Sequence, residues 1–343
     1  MESNLRSLYC FVTAAEEMNF TRAAKKLYIT QQSLSKHIKK LEEQYEVSLF
    51  DRQPTLRLTM AGEHLLAYAR RAIREENRLF NDLQSEVQFG RLRLHIGVPT
   101  LRGSNYLPDI YQAYSKIHPN VVISYYSYGF EAANTALMTG DIDMYFSTLA
   151  SAGKYGRKTP IEKDELFFLV SEELLKQQYP DSWEEFLHAH SSGITVAETV
   201  DFPVVLPPTI STLRQILNSS YRSAPHAPKV IMELTDNRVN FDMCTRHICA
   251  SFISKSLLFN RYLHTDVRLY AFHVTDLDKL SHLGIVYPEN DHLSRYVEDY
   301  INCAKDVICS INATVDNYMR SRVQDGMLLP IDFHELYSRI HKL

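Results

Sequence analysis

The first forty-five residues carry apolar positions at helical spacing. An amphipathic helix is predicted from Asn4 to Glu17, because its apolar residues recur three and four positions apart. A short helix is predicted from Arg22 to Leu27, with Thr21 as its N-cap. Thr30 would cap a third helix, from Gln31 to about Gln44. The inward positions of the first and third helices are Leu5, Leu8, Phe11, Val12, Ala15, Leu34, Ile38 and Leu41.

Two further patterns follow the third helix. Leu49 to Thr59 reads as two short extended arms around a proline turn, which predicts a wing. From Thr59 to about Gln88, apolar residues near heptad spacing predict one long helix with a polar interruption at Glu76. Such a helix cannot bury its seam alone, so it suggests a dimerisation helix.

Past Gly90 the pattern alternates between strands and helices, which predicts parallel sheets with helices packed on them. The predicted strands are residues 92–98, 121–126, 142–147, 165–170, 194–196, 204–206, 229–234, 250–253, 267–272 and 282–287. The predicted helices are residues 105–117, 131–139, 171–178, 210–221, 237–246 and 293–310, with two further helical patterns at 315–322 and 333–341.

The charge is distributed unevenly along the chain. The 343 residues include 45% hydrophobic and 23% charged residues and carry a formal net charge of −4. Residues 21–60 nevertheless hold eight basic side chains against four acidic ones. A basic patch of this kind attracts the phosphates of a DNA duplex, and an acidic remainder limits indiscriminate binding.

Composition excludes several classes of protein. We expect a cytoplasmic protein without a membrane partner, because the sequence has neither a membrane-length apolar run nor a signal-peptide pattern. The five cysteines include no CxxC pair and no zinc-binding spacing, so we expect reduced, buried thiols, no metal and no cofactor. No strand is followed by a nucleophile elbow, a P-loop or GxGxxG, which argues against an enzyme.

Residues 11–63 resemble the N-terminal domain of LysR-type transcriptional regulators. The matching positions are Phe20-Thr21-Arg22-Ala23-Ala24, Leu27, Gln31, Ser35, Ile38, Leu41-Glu42, Leu49-Phe50, Arg52, Leu58-Thr59 and Ala61-Gly62. Less specific matches to the family's effector domain are Leu94-His95-Ile96-Gly97, Pro99-Thr100, His118-Pro119, Gly140-Asp141-Ile142-Asp143 and Val205-Leu206-Pro207-Pro208. The resemblance covers Leu5 to Ser310.

The resemblance implies an α+β multidomain chain. An all-α winged helix-turn-helix domain (1–60) and a linker or dimerisation helix (61–89) would precede an α/β effector domain (90–310) of two Rossmann-like subdomains, similar to periplasmic binding proteins. Subdomain I would comprise 90–161 and 268–310, and subdomain II would comprise 162–267. The chain would cross between them near Thr159 to Lys163 and Thr265 to Tyr270. Residues 311–343 would form a C-terminal extension whose role the resemblance does not cover.

The implied function is ligand-responsive, sequence-specific regulation of transcription. The implied partners are double-stranded DNA, a small-molecule effector in the cleft between the subdomains, a homodimer or homotetramer and, for an activator, RNA polymerase. Five departures from the family pattern affect these expectations. Glu46 replaces a usual glycine and Gln32 a usual proline in the reader, whereas His247 and Cys249 replace glycines, with Ser254 in place of a proline, beside the cleft.

The third helix carries the candidate DNA contacts. A helix in the major groove reads base edges with polar side chains near its N-terminus and contacts phosphates with longer cations. The candidate residues are Thr21, Arg22, Thr30, Gln31, Gln32, Ser33, Ser35, Lys36, Lys39, Lys40 and, in the wing, Arg52. The competing interpretation is a solvated helix face, and for Arg52 a salt bridge to Glu42 or Asp51.

The candidate effector contacts lie where strands end and helices begin, because backbone donors and the positive helix end point toward a ligand there. They are Thr100, Leu101, Arg102, Ser104, Phe130, Ser147, Thr148, Thr209 and Ser211, with Thr212 beside them. Arg102 would suit an anionic effector. Ordinary N-capping is the alternative role for the serines and threonines.

Other interpretations remain open at this point. Cys244 and Cys249 could form a peroxide-sensing pair, although buried free thiols are the commoner case. His247 and Asp242 could form a metal or acid–base site, but no third ligand is visible. The alternating domain could instead be a binding or enzymatic module that carries a passenger DNA reader, or the chain could be an architectural DNA binder without an effector.

Overall fold

The structure is a computed structural model that describes residues 5–51, 55–89, 92–98, 104–148, 156–163, 165–259, 265–277, 282–289 and 293–341. Three helices open the chain: α1 (Leu5–Glu17), α2 (Phe20–Lys26) and α3 (Gln31–Tyr45). Their apolar stripes meet in one core around Phe11, Leu34 and Ile38, which are fully buried. The three predicted helices are therefore confirmed.

The cap of α2 differs from the prediction. Asn19 is the N-cap, because its side chain accepts a hydrogen bond from the backbone N–H of Arg22 at 3.0 Å. Thr21 lies inside the first turn instead, so its assignment as the cap is wrong. The earlier start places Phe20 in the helix, where its ring packs edge-on against Phe50 at 5.3 Å between centroids.

A wing and a long helix follow. Strands β1 (Phe50–Asp51) and β2 (Arg57–Leu58) pair antiparallel, as the predicted arms require. Helix α4 (Met60–Phe89) runs for 30 residues. Its first half is buried against the reader at Leu65, Ala69 and Ile73. Its second half exposes apolar side chains at Leu79, Phe80 and Leu83, which are each more than half exposed.

The remaining strands form two five-stranded sheets. Sheet one has the order β4-β3-β5-β12-β6 and sheet two the order β11-β7-β10-β8-β9. The strands of sheet one are β3 (Leu92–Val98), β4 (Val121–Ser127), β5 (Met144–Thr148), β6 (Arg157–Lys163) and β12 (His282–Tyr287). Those of sheet two are β7 (Leu166–Ser171), β8 (Pro203–Leu206), β9 (Lys229–Glu233), β10 (Ala250–Ser254) and β11 (Leu269–His273).

Helices cover both sheets. They are α5 (Leu107–Ile117), α6 (Phe130–Thr139), α7 (Glu172–Gln178), α8 (Trp183–Ala189), α9 (Thr212–Ser220), α10 (Asn237–Thr245) and α11 (Lys255–Leu258). A 3-10 turn, Ser104–Tyr106, precedes α5. The prediction did not include α8 or the strand β6. It included a strand over Ile194 to Val196, but Ile194 makes only an isolated bridge to Val274 there.

The sheets are mixed, whereas the sequence predicted parallel pairing. Strands β3, β4 and β5 are parallel, but β12 pairs antiparallel with both β5 and β6. In sheet two, β7 pairs antiparallel with β10 and β11. A crossover helix returns the chain to the end of the sheet from which it came, so that the next strand is parallel. Strands β7 and β12 enter from the other sheet with no such helix among the described residues, and each pairs antiparallel with its neighbours.

The second crossing lies later than predicted. Strand β11 pairs with β7 over Leu269 to His273, so it belongs to sheet two. The chain therefore returns to sheet one after His273 and before His282, and the predicted crossing near Thr265 to Tyr270, with its boundary at 267/268, is wrong. The first crossing lies between Lys163 and Leu166, two residues beyond the expected boundary.

The C-terminal part is more continuous than predicted. Helix α12 (Arg295–Ser321) is one helix of 27 residues, so the separate helix expected over Val315 to Arg322 is part of it. A hairpin of β13 (Val323–Gln324) and β14 (Met327–Leu328) follows. The last helix, α13 (Phe333–His341), agrees with its predicted range.

Candidate nucleic-acid interface and effector cleft

The N-terminus of α3 is built by its cap. The Thr30 hydroxyl accepts a hydrogen bond from the backbone N–H of Ser33 at 3.1 Å, as the sequence predicted. The Thr21 hydroxyl donates to the side-chain oxygen of Gln31 at 3.2 Å and so ties α2 to the first residue of α3. The exposed residues Thr30, Gln31 and Gln32 lie at the positive end of the α3 dipole, which favours an anionic partner.

The face of α3 opposite the core is polar and basic. Leu34, Ile38 and Leu41 are buried, and residues three and four apart share a helix face. Gln32, Lys36 and Lys39 consequently form an exposed row on the far side. The predicted contact residues of α2 and α3 differ in exposure. The exposed residues are Thr21, Arg22, Thr30, Gln31, Gln32, Lys36, Lys39 and Lys40, and the half-buried residues are Ser33 and Ser35.

Several of the cations already have carboxylate partners within the reader. Glu17 contacts Lys26 at 3.1 Å and Arg22 at 3.5 Å, and Arg22 also donates to the Glu17 carbonyl at 2.6 Å. Lys39 contacts Glu43, one turn along α3, at 3.4 Å. These pairs are exposed and therefore weak, so a phosphate can compete for the cations.

The lowered pKa of His37 is consistent with the positive charge around α3. Its Nδ1 lies 2.8 Å from the Ser7 hydroxyl, which joins α3 to α1. Burial lowers the pKa of His37, and the nearby charges of Arg6, Lys40 and Lys36 lower it further. His37 carries no signal of its own in the sequence, because its position beside Ser7 depends on how α1 and α3 pack.

The turn before α3 and the wing carry further exposed groups. Tyr28, in the turn between α2 and α3, is 96% exposed and has a left-handed φ of 55°. Arg57 on β2 is exposed, and its Nε donates to the Thr55 hydroxyl at 3.2 Å. The predicted wing residue Arg52 lies outside the described residues. Neither Tyr28 nor Arg57 was selected from sequence, since a tyrosine in a turn carries no specific signal.

The effector cleft is described only in part. Thr100, Leu101 and Arg102 lie outside the described residues. The backbone of the other predicted residues of subdomain I can be placed. Ser104 begins the 3-10 turn, Phe130 begins α6 and Thr148 ends β5. Ser147 is 6% exposed within β5, so its side chain is packed inside subdomain I rather than presented to solvent.

The second half of the cleft is better described. Thr209 is exposed after β8, and Ser211 is the N-cap residue of α9 but makes no side-chain capping hydrogen bond. The N-capping role that sequence offered as the alternative therefore does not occupy the Ser211 hydroxyl. Arg214, which sequence reasoning missed, is buried and donates to the Pro207 carbonyl and to Glu233, each at 2.9 Å. It fixes the loop that carries Thr209.

The two cysteines near the cleft lie together in the core. Cys244 and Cys249 are free, fully buried thiols, and the Cys244 thiol donates to the Leu169 carbonyl at 4.0 Å. The neighbouring Cys249 thiol and burial raise the pKa of Cys244. Cys309 is half-buried, so the expectation of buried thiols holds for the other four. A contact between Cys244 and Cys249 was not expected from their spacing.

His247 adopts a left-handed backbone conformation and contacts Ser171. Its φ of 61° is left-handed, and its Nδ1 lies 3.0 Å from the Ser171 hydroxyl. Asp242 instead pairs with Arg246 at 3.0 Å. Among the described residues, no group of three or more His, Cys, Asp or Glu side chains is placed to hold a metal ion. No helix of the described part is long and apolar enough to span a membrane.

Comparison with protein families identifies both parts of the chain. Residues 5–63 match the family model described as bacterial regulatory helix-turn-helix protein, lysR family, and residues 88–308 match the LysR substrate binding domain. The HTH-type transcriptional regulator BenM of Acinetobacter baylyi is 27% identical over 206 residues, 60% of this chain and 64% of BenM. AlsR of Bacillus subtilis is 33% identical over 141 residues, 41% of this chain and 47% of AlsR. Each alignment spans less than two thirds of the relative's length.

Solved structures agree in fold. A full-length OxyR variant from Pseudomonas aeruginosa has a TM-score of 0.55 at 17% identity, covering 89% of this chain and 95% of that one. Full-length CbnR in complex with its target DNA has a TM-score of 0.50 at 16% identity, covering 89% and 99%. Because the two family models together match most of residues 5–308, the chain belongs to the LysR family of transcriptional regulators.

Proposed function

We propose that the protein is a ligand-responsive, sequence-specific DNA-binding regulator of transcription. The observation that supports this most is the capped N-terminus of α3, which presents the row of Gln32, Lys36 and Lys39 to solvent. A dipole end, short polar side chains and flanking cations together suit a helix that enters the major groove. Such a protein acts by binding and performs no covalent chemistry of its own.

We assign different roles to the two ends of this surface. Gln31, Gln32, Ser33, Ser35 and Lys36 would read base edges near the helix N-terminus. Thr21, Arg22, Thr30, Lys39, Lys40 and Arg52 would bind the backbone or the minor groove, which positions the reader without reading sequence. Release of Arg22 from Glu17 would accompany binding, because that pair is exposed and weak.

The second proposed site is the cleft between the effector subdomains. A small molecule would bind at Thr100, Leu101, Arg102, Ser104, Phe130, Ser147, Thr148, Thr209 and Ser211 and would alter the binding or bending of DNA. The free capping position of Ser211 supports the second half of this set. Ser147 would contribute through its backbone, because its side chain is buried.

Assembly would place two readers on one operator. The exposed apolar side chains of α4, Leu79, Phe80 and Leu83, suit burial against a second copy, and we propose a homodimer or homotetramer. Paired readers imply an operator with dyad symmetry. An activator of this type would also contact RNA polymerase, and a chromosomal target implies the cytoplasm.

The proposal is tested by selection from a pool of random duplexes with the full-length protein. We expect a motif with dyad symmetry, and Lys36→Ala should lose that preference while the exposed Lys116→Ala control on α5 retains it. Lys39→Ala should lower the slope of log affinity against log salt by about 0.9, as expected for one phosphate contact. Failure to enrich any motif over random duplex would exclude sequence-specific reading.

A further inference from the structure

The chain continues beyond the part that the family accounts for. The match to the LysR substrate binding domain ends at residue 308, and residues 311–341 then form the last turns of α12, the β13–β14 hairpin and α13. We call these residues the C-terminal bracket. Eight of its apolar side chains are at most 6% exposed: Ile311, Val315, Tyr318, Leu328, Ile331, Phe333, Leu336 and Ile340.

The bracket is attached to subdomain II at the edge of sheet two. The backbone N–H of Ile331 donates to the carbonyl of Leu269 on the edge strand β11 at 2.8 Å. Phe333 meets Phe241 of α10 edge-on, with ring centroids 5.4 Å apart. Leu328 of the hairpin lies in the core of subdomain II. The attachment is therefore both polar and apolar.

The same segment is attached to subdomain I. At the end of α13, His341 Nδ1 lies 3.2 Å from the Asp109 carboxylate on α5. The Tyr106 hydroxyl donates to the side-chain oxygen of Asn312 at 2.8 Å, and the Asn312 amide donates to Glu162 on β6 at 2.5 Å. One apolar cluster contains residues of both subdomains and of the bracket, so the three parts share a core.

A buried lysine joins the bracket to the first crossing. Lys255, directly after β10, has a side chain 5% exposed, and its Nζ lies 2.7 Å from Asp316 of the bracket and 3.3 Å from Glu162. It also contacts Glu165, which lies in that crossing. A buried ammonium needs such partners, and the Asp316 carboxylate is the one that ties the bracket to Lys255.

The second crossing reaches the same cluster. His273, at the end of β11, has its Nε2 3.7 Å from the Glu165 carboxylate. The nearby imidazole of His273, together with the contact and charge of Lys255, lowers the pKa of Glu165 to about 2 in spite of its burial. Both crossings and the bracket thus meet around one pair of opposite charges, Lys255 and Glu165.

We infer that the C-terminal bracket fixes the angle between the two effector subdomains. It holds both subdomains from outside the crossings, so the two connecting segments cannot act as a free hinge while the bracket is seated. An effector can then change the angle only through a state in which the bracket is displaced or rearranged, and it must bind that state more tightly than the seated one. This inference goes beyond the proposed function and does not require the effector to be known.

The angle can be measured directly in the full-length protein. Spin labels would be placed on two exposed positions, Arg295→Cys on α12 and Gln177→Cys on α7, in a Cys309→Ser background. Labelled chains would be diluted with unlabelled ones so that distances within one chain dominate. Hydrogen exchange of residues 323–341 reports whether the bracket is seated.

Two variants loosen different ends of the bracket. Asp316→Asn removes its charge from the Lys255 cluster, and His341→Gln breaks the contact with Asp109 at a half-exposed site where folding is less at risk. Asp325→Asn is the matched control, because Asp325 is exposed in the hairpin turn with a left-handed φ that asparagine also accepts. Circular dichroism verifies that each variant is folded.

We expect one narrow distance distribution in the parent and in Asp325→Asn. In Asp316→Asn or His341→Gln the distribution should broaden or shift, with at least tenfold faster exchange in residues 323–341. Faster exchange with an unchanged distance distribution would overturn the inference, because the bracket would then be detached without effect on the angle. Unchanged exchange in both folded variants would equally overturn it, because the contacts described here would not hold the bracket.

Discussion

Glu46 ends the recognition helix in a conformation that most side chains avoid. Its φ and ψ are 55° and 34°, in the left-handed region, and its N–H donates to the carbonyl of Glu42 to close α3. The left-handed conformation costs an L-residue about 1–2 kcal/mol, whereas glycine accepts it without a steric penalty. We therefore expect Glu46→Gly to stabilise the DNA reader.

Three terms set the size of this effect. Relief of the backbone strain contributes about 1–2 kcal/mol. Loss of a carboxylate from the negative end of the α3 dipole adds about 0.3–1 kcal/mol. The greater freedom of glycine in the unfolded chain offsets about 0.5–1 kcal/mol. Because Glu46 is exposed, little packing is lost, and the expected net gain is about 1 kcal/mol.

The gain is measured by native-state hydrogen exchange of the amides in α1 and α3. About 1 kcal/mol corresponds to roughly fivefold slower exchange of the amides that open with the reader. Glu46→Gln is the control, because it removes the charge but retains the strained backbone. If Glu46→Gln gains as much protection as Glu46→Gly, or if Glu46→Gly loses protection, the strain argument is refuted.

Three further predictions concern single sites. Gly62→Ala should lower the free energy of unfolding of the reader in urea by about 1–3 kcal/mol, because the added Cβ would collide with the backbone carbonyl oxygen of Leu49 and lie 2.9 Å from Leu58 Cδ2. An unchanged midpoint would contradict it. Because the pKa of His37 is lowered in the folded chain, His37 should bind a proton at higher pH in the unfolded chain than in the folded one. The free energy of unfolding should therefore fall as the pH drops below about 6.5, and it should fall less in His37→Gln. Urea titrations at pH 7.5 and 5.5 measure this difference. Cys309 should react with Ellman's reagent before the buried thiols, including the Cys244–Cys249 pair, do so in native protein; rapid loss of two thiols as a disulfide would contradict this.

The parts of the fold that local signals specify were predictable. Thr30 precedes the first residue of α3 and caps it, and the apolar stripe around Leu34 defines which face is inward. The start of α2 was not decided locally, because both Asn19 and Thr21 are good caps. The packing of Phe20 against Phe50 accompanies the earlier start, and that contact joins residues thirty positions apart.

Long-range pairing explains the larger errors. A run such as Val267 to Phe272 is apolar and extended in whichever sheet it joins, so its sequence could not show that β11 pairs with β7. The single helix α12 was, in contrast, available from the sequence. No proline or glycine interrupts residues 295–325, and Ile308, Ile311, Val315 and Tyr318 continue one stripe across the expected end at Ser310.

The candidate DNA-contact residues were predictable from the sequence where they depend on one helix, and not where they depend on packing between elements. The residues of the α3 surface follow from the helix and its cap, because a helix face is a local property. The roles of His37 and Arg214 depend on which elements pack beside them, so neither carried a signal in the sequence. His247 and Glu46, which stand where the resemblance implies a glycine, both have a left-handed backbone in this chain.

The joint between the reader and the effector domain limits how a signal can travel. Asn77 of α4 donates to the carbonyl of Thr139 at 2.7 Å, and Gly140, with a φ of 82°, lies so close to Arg74 that an added Cβ would be 2.8 Å from its carbonyl oxygen. Helix α4 is thus packed on subdomain I rather than tethered loosely to it. Within one chain, subdomain II is the part whose position relative to the reader depends on the crossings and the C-terminal bracket. A change in the angle would therefore reach DNA through the contacts that subdomain II makes with other chains of the proposed oligomer, and displacement of the bracket should alter the spacing of paired readers before it alters any single reader.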